Sequence, residues 1–190
     1  EQFIPVEADV VIPTVFTHYT QINNNQIYKP EQILTVGISQ SGTSVSTVEA
    51  MRKAKSEGYL TVALTESLNS LITREVDVVV PLTCGKEEIP IETRGYIITL
   101  LTGYLWAVEI AGALGRLNSI QLQQKLDDAQ TMLAHFDELT AEVQLWIDRN
   151  QPELLNMERG HIAAYGTHYP TALEGVLKMY ETFHKPLSAY

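Results

Sequence analysis

Only one cysteine, Cys84, stands among the 190 residues, so no intramolecular disulfide can brace the fold. That suits a reducing compartment, and with no activating base nearby Cys84 reads as a small core or loop side chain, not a nucleophile. Positive charge is scarce as well: 13 Lys and Arg face 23 Asp and Glu, a formal charge of −10. Non-specific binding to nucleic acid or to an anionic membrane needs cations that neutralise phosphates, so neither is an expected partner. Neither Gly-x4-Gly-Lys-Ser/Thr nor Gly-x-Gly-x-x-Gly occurs, which removes the Walker loop and the dinucleotide fingerprint. The five histidines lack metal-ligand spacing, and neither a metal nor a cofactor is expected. The opening EQFIPVEADVV is acidic, without the basic flank of an export signal, which makes the cytoplasm the expected location. One apolar run, residues 96–114, is long enough to cross a bilayer, but it contains Gly103 and Glu109 and has no companion. It reads as a buried or interface helix.

What is present is a hydroxyl-rich turn. Residues 33–46, ILTVGISQSGTSVS, pass from an apolar strand into a loop that opens a helix. Ser39, Ser41, Thr43 and Ser44 supply hydroxyls, and Gly42 allows close backbone approach. The first amides of the helix are unpaired and sit at the positive end of its dipole, so the turn can cradle a phosphate without a cation. The alternative is a helix start whose Ser and Thr residues serve only as caps.

An α/β alternation surrounds this turn, and 45% hydrophobic residues suffice for a packed core. Residues 10–18 read as extended, and the Asn-rich stretch 21–30 as turns. Residues 34–38 read as a short strand buried on both faces of a parallel sheet. Val45, Val48, Met51 and Ala54 follow at helical spacing up to Gly58. Residues 59–65 and 77–82 read as further buried strands, with room for a short helix at 70–76. A polar loop, 83–94, feeds a long helix from near Gly95. Residues 118–157 are helical with a break at Pro152, 161–166 form a new strand, and 171–184 a new helix.

The SQSGTS loop, its helix, Gly58 and the next strand resemble the sugar isomerase (SIS) domain family, whose members bind phosphosugars. Residues 165–181, YGTHYPTALEGVLKMYE, are similar to the opening of the second such domain in the isomerase part of glucosamine-6-phosphate synthase and its deglycase relatives. The resemblance implies a three-layer αβα, flavodoxin-like domain with a mainly parallel sheet, plus the start of a second domain. Its expected divisions are 1–117 for the first domain, 118–159 for a helical connector and 160–190 for the second. The family's opening strand and helix have no counterpart, so the chain is expected to be a fragment whose missing pieces are supplied elsewhere.

By the same resemblance, Ser39, Gln40, Ser41 and Ser44 hold the sugar phosphate, although Thr43 and Ser44 stand where Glu and Thr are common. Glu88 and Ile91, in a loop with Arg94 where lysine is usual, are expected to touch the sugar together with Glu174. Glu174, Lys178 and Glu181 share one helix face, and Glu181 with Lys178 is implied as the catalytic pair, Glu181 being the base. From spacing alone the same three residues describe, in preference to a catalytic group, a solvated ion-pair face worth about 0.2–0.5 kcal/mol per pair; the resemblance reverses that order. Glu88 and Glu92 likewise equally read as loop solubilisers. His168 is a possible ligand contact or a surface histidine, and His184 lies too close to Glu181 for the family's ring-opening role. The implied function is a deglycase acting on a fructosamine 6-phosphate or an aldose–ketose phosphosugar isomerase, working as a homo-oligomer. The alternatives are the isomerase portion of a glutamine–fructose-6-phosphate aminotransferase and a non-catalytic sugar-phosphate sensor.

Overall fold

The structure is a computed structural model that describes residues 7–19, 27–89 and 91–190. It comprises two compact units, Glu1–Leu122 and Gln123–Tyr190.

The first unit begins with a correction to the extended reading of residues 10–18. Helix α1 spans Pro13–His18, with Pro13 at its first turn and Thr17 Oγ1 donating to Pro13 O at 2.9 Å. Proline's fixed φ suits a first helical position, and the tertiary contact decides the rest. Phe16 is buried against Ala50, Ala54 and Tyr59, and Lys53 Nζ lies 5.4 Å from its ring centroid. The expected turn at 21–30 falls mostly on residues outside those described; its end forms a 3-10 turn at Pro30–Gln32.

Three parallel strands follow in the order β1, β2, β3: Leu34–Ile38, Leu60–Thr65 and Val78–Pro81. Register pairs Val36 with Val62 and Val62 with Val78. Helix α2, Val45–Ser56, covers one face, where Val48 and Met51 meet Ala63, Ile72 and Val76. Gly37 is required there, since a Cβ would lie 2.6 Å from Met51 Sδ. The other face receives α3, Arg94–Ala113, through Ile98 and Trp106 against Leu64, Leu82 and Cys84. This is the αβα layering expected from the alternation.

Strand β1 corrects the second expectation. It is an edge strand whose Leu34, Val36 and Ile38 are exposed on the α3 side, because α3 reaches only β2 and β3. Helix α3 is also more open than a buried helix: Gly95, Val108 and Ala111 are buried, while Ile97, Leu100, Ile110 and Leu114 are exposed. By length and composition α3 could cross a membrane, yet one side of it is a layer of this domain. The short helix expected at 70–76 is a 3-10 turn at Ile72–Arg74. Asp77 fastens the starts of β2 and β3, its Oδ2 accepting from Thr61 Oγ1 at 2.7 Å and Thr61 N at 3.0 Å, with Lys55 on Oδ1.

Helix α4, Ser119–Ala134, crosses the division between units. Asn118 and Gln121 exchange backbone-to-side-chain bonds at its start, a reciprocal cap. Helices α5, Phe136–Arg149, and α6, Gln151–Asn156, follow, with Pro152 in the first turn of α6. Strand β4, Gly160–Ile162, helix α7, Tyr169–Phe183, and strand β5, Leu187–Ala189, then make a parallel βαβ unit. Gly175 of α7 faces Ile162, whose Cδ1 would meet an added Cβ at an ordinary contact distance of 3.4 Å.

Candidate functional site

The loop between β1 and α2 is tied to the end of β2 by the backbone. Ser39 N donates to Leu64 O, Glu66 N to Gln40 O, and Ile72 N to Gly42 O, each at 3.0–3.1 Å. Thr65 Oγ1 adds a bond to Gln40 O. Gly42 takes φ 63°, and its Cα sits so near Ser70 that a Cβ would lie 1.9 Å from Ser70 Oγ. That buried hydroxyl has no hydrogen-bond partner.

The four hydroxyls divide into distinct roles. Ser39 is buried; its Oγ accepts from Gly42 N at 3.2 Å and donates to Ser44 Oγ at 3.2 Å, so it shapes the loop from inside. Ser41 Oγ accepts from Thr43 N and from Thr43 Oγ1, and both residues face solvent. Ser44 occupies the N-cap of α2 with its side chain bonded to no helix amide. The first intrahelical bond is Val48 N to Ser44 O, which leaves the amides of Val45, Ser46 and Thr47 without intrahelical acceptors. A pure capping role would have used the Ser44 hydroxyl on one of them. The result is a set of exposed residues, Ser41, Thr43, Ser44 and Val45, at the positive end of a 12-residue helix.

Gln40 points sideways. Its Nε2 donates to Cys84 Sγ at 3.3 Å and to Gly85 O at 3.5 Å, so its side chain rests on the loop after β3. Cys84 N donates to Glu66 Oε2 at 2.9 Å. Burial pushes the Cys84 thiol up, and Glu66 adds to the effect against the opposing Gln40 bond, so the sulfur stays protonated. Thr83, just before it, adopts φ 56°, an outlier for a β-branched residue.

In the loop leading to α3, the sequence pointed to Glu88, but Glu87 is the carboxylate built into the structure. Glu87 Oε1 accepts from Thr93 N at 2.9 Å and Gly95 N at 3.1 Å, and Oε2 pairs with Arg94 Nε at 3.4 Å. Those amide bonds hold its carboxyl below the usual carboxylate range. Glu88 is exposed and Ile91 half-buried. Adjacent glutamates carry the same signal in a sequence; only the path of the backbone separates them.

Glu174, Lys178 and Glu181 lie in the second unit and form one cluster on α7. Lys178 Nζ reaches Glu174 Oε1 at 3.3 Å and Glu181 Oε2 at 2.9 Å. Burial pulls the Lys178 ammonium down, but its bonds to Glu181 and Glu174 outweigh that and hold it above its usual value. His168 is exposed at the start of α7, and His184 ends the helix in the left-handed conformation, φ 53°. Among the described residues, no three or more His, Cys, Asp or Glu side chains come together as a metal site.

No protein-family model matches the chain. Glutamine–fructose-6-phosphate aminotransferase (isomerizing) of Caldanaerobacter subterraneus subsp. tengcongensis is 30% identical over 193 residues, covering 98% of this chain and 29% of that protein. A Clostridium difficile 630 crystal structure, described as a candidate phosphosugar isomerase, superposes with TM-score 0.82 at 29% identity over 86% of this chain and 47% of that one. The C-terminal domain of glucosamine-fructose-6-phosphate aminotransferase from Francisella tularensis gives TM-score 0.79 at 25% identity, over 89% of this chain and 48% of that one. The chain belongs to the sugar isomerase (SIS) domain family. As a SIS chain it spans 29% of the aminotransferase and just under half of each solved structure. Its α/β layering and parallel sheet are those of SIS phosphosugar isomerase folds.

Proposed function

We propose that this SIS chain binds the phosphate of a sugar phosphate on residues 39–44, as part of a deglycase for a fructosamine 6-phosphate or of an aldose–ketose phosphosugar isomerase. The observation that carries the reading is the uncapped start of α2: Ser44 stands at the N-cap without capping, and open hydroxyls surround free first-turn amides. An anionic oxygen supplies the acceptor that the first-turn amides lack within the helix. Ser41, Thr43 and Ser44 would meet the phosphate directly, Ser39 would hold the loop in shape, and Gln40 would form its side wall.

Glu181 is the proposed base. Moving a hydrogen between adjacent carbons of a ketose phosphate needs a group that removes a proton from one carbon and returns it to the next. Glu181 Oε2 lies 2.9 Å from Lys178 Nζ, so the ammonium fixes the carboxylate's position on the helix face. Glu174 shares that ammonium and would line the pocket, with Glu88 and Ile91 as proposed sugar contacts. In this proposal residues 1–117 are the first domain, 118–159 a connector and 160–190 the beginning of a second, and the working form is a cytoplasmic homo-oligomer.

A second reading, the isomerase portion of a glutamine–fructose-6-phosphate aminotransferase, is supported by the Caldanaerobacter relative aligned along nearly the whole chain. One experiment addresses both. The full-length protein is assayed with fructose 6-phosphate plus glutamine and with a fructosamine 6-phosphate, alongside Ser44→Ala and Glu181→Gln. Weakened binding in Ser44→Ala, and retained binding without turnover in Glu181→Gln, is the expected pattern. Glucosamine 6-phosphate formed from the first mixture selects the aminotransferase. Unchanged turnover in Glu181→Gln removes it as the base, and binding without turnover of either substrate selects a sensor.

A further inference from the structure

Glu87 was singled out by neither its spacing nor its neighbours, yet its carboxylate bonds two backbone amides and one guanidinium. With 13% of its side chain exposed, it accepts from the amides of Thr93 and Gly95 and pairs with Arg94. Arg94 also donates to Lys86 O, so the start of α3 is bonded back to both Lys86 and Glu87. Beside it lies the phosphate loop. A Cβ on Gly95 would lie 3.0 Å from Gln40 Cδ, which places the first turn of α3 directly against the Gln40 side chain. From the other direction Gln40 is held by Cys84 Sγ and Gly85 O, at a turn where Thr83 keeps a strained left-handed backbone. Gln40 is therefore wedged between two stretches of one loop. In the nearer stretch the Glu87 carboxylate ties down the amides of Thr93 and Gly95.

We infer that Glu87 is a positioning residue for the phosphate loop: by fixing Thr93, Arg94 and Gly95 it sets the wall against which Gln40 rests, and thereby the geometry of residues 39–44. This rests on the proposed reading of that loop as a sugar-phosphate cradle. Glu87 touches no ligand in this account. Releasing it frees the start of α3 to shift away from Gln40, and a displaced wall loosens donors that bind only when pre-aligned.

The test is a double-mutant cycle in the full-length protein, with fructose 6-phosphate affinity measured by calorimetry for wild type, Glu87→Ala, Gln40→Ala and the pair. Lys86→Gln, at an exposed neighbour in the same loop, serves as the charge-change control. Glu87→Ala is expected to weaken binding about tenfold in the wild-type background and less than about twofold once Gln40 is alanine, because the wall then has nothing to position. Lys86→Gln binds like wild type. A merely structural role for Glu87 lowers affinity by the same factor in both backgrounds, and that additive result overturns the inference while leaving the cradle standing. Unchanged affinity in Glu87→Ala also overturns it. If Glu87→Ala does not fold, Glu87→Gln replaces it in the same cycle, since the amide keeps an acceptor for the backbone but turns a donor toward Arg94. Absence of fructose 6-phosphate binding by the wild type itself, with inorganic phosphate equally unbound, overturns the cradle reading and the inference together.

Discussion

Replacing Gly42 by alanine should damage the phosphate loop for two separable reasons. The backbone there is left-handed, at φ 63°, which costs a residue with a Cβ about 1–2 kcal/mol. The new Cβ would also stand 1.9 Å from Ser70 Oγ, 2.6 Å from Ser70 Cβ and 2.9 Å from Thr65 Oγ1. Two of these contacts involve atoms close to a backbone and cannot simply swing aside, so an overpacking cost of about 1–3 kcal/mol is added. The expected loss is about 2–5 kcal/mol, read as a lowered urea midpoint at unchanged slope. Gly85 provides the control. It too is left-handed, at φ 71°, but nothing lies within 4 Å of its added Cβ, so Gly85→Ala should show the backbone cost alone. Adding Ser70→Gly to Gly42→Ala should recover most of the steric part and none of the backbone part. Ser70→Ala by itself should be neutral or stabilising, because it deletes a buried hydroxyl that has no partner. Equal losses in Gly42→Ala and Gly85→Ala would refute the packing of Ser70 behind the loop.

Three further outcomes follow from the same geometry. Thr83→Asn, which tolerates φ 56° better than a β-branched residue, should raise stability by about 0.5–1 kcal/mol in urea unfolding; a loss would mean the turn depends on the threonine side chain. Asp77 accepts from Thr61 and pairs with Lys55, which holds its carboxyl down at about 2. A carboxyl lowered on folding contributes stability above its unfolded value near 4 that disappears as pH falls toward 2. Acid-unfolding curves of wild type and Asp77→Asn should therefore converge toward pH 2, and a constant offset from pH 6 to pH 2 would contradict the assignment. Met51→Ala, which empties a site almost fully closed to solvent under Gly37, should cost about 2–5 kcal/mol by thermal or urea unfolding, and a loss below about 1 kcal/mol would place α2 wrongly on the sheet.

Where local pattern and tertiary packing agree, the elements could be read from the residues. Strands β2 and β3 are runs of apolar and β-branched residues, and α2 carries its apolar spacing between Ser44 and the left-handed Gly58. Where packing overrides pattern, the reading failed. Val10, Val11, Ile12 and Val15 suggest extension, but Pro13 fixes the start of a helix and Phe16 finds a pocket on α2. Strand β1 has an interior strand's composition at a sheet edge, and no local feature records which neighbours it will have. Strand β5 is three residues long and exists through its pairing with β4. In the site, composition counted four equivalent hydroxyls, whereas the fold turns Ser39 inward and leaves Ser41, Thr43 and Ser44 open. The bonding of Glu87 was hidden for a similar reason: a carboxylate's role in a loop depends on which amides curl around it, here those of Thr93 and Gly95.

The most direct measurement is a crystal structure of the full-length protein soaked with fructose 6-phosphate. The phosphate is predicted at the start of α2, within hydrogen-bonding distance of Ser41, Thr43 or Ser44 and of at least one amide among residues 45–47. A sugar phosphate bound with its anion elsewhere, and those donors still facing water, would contradict the account.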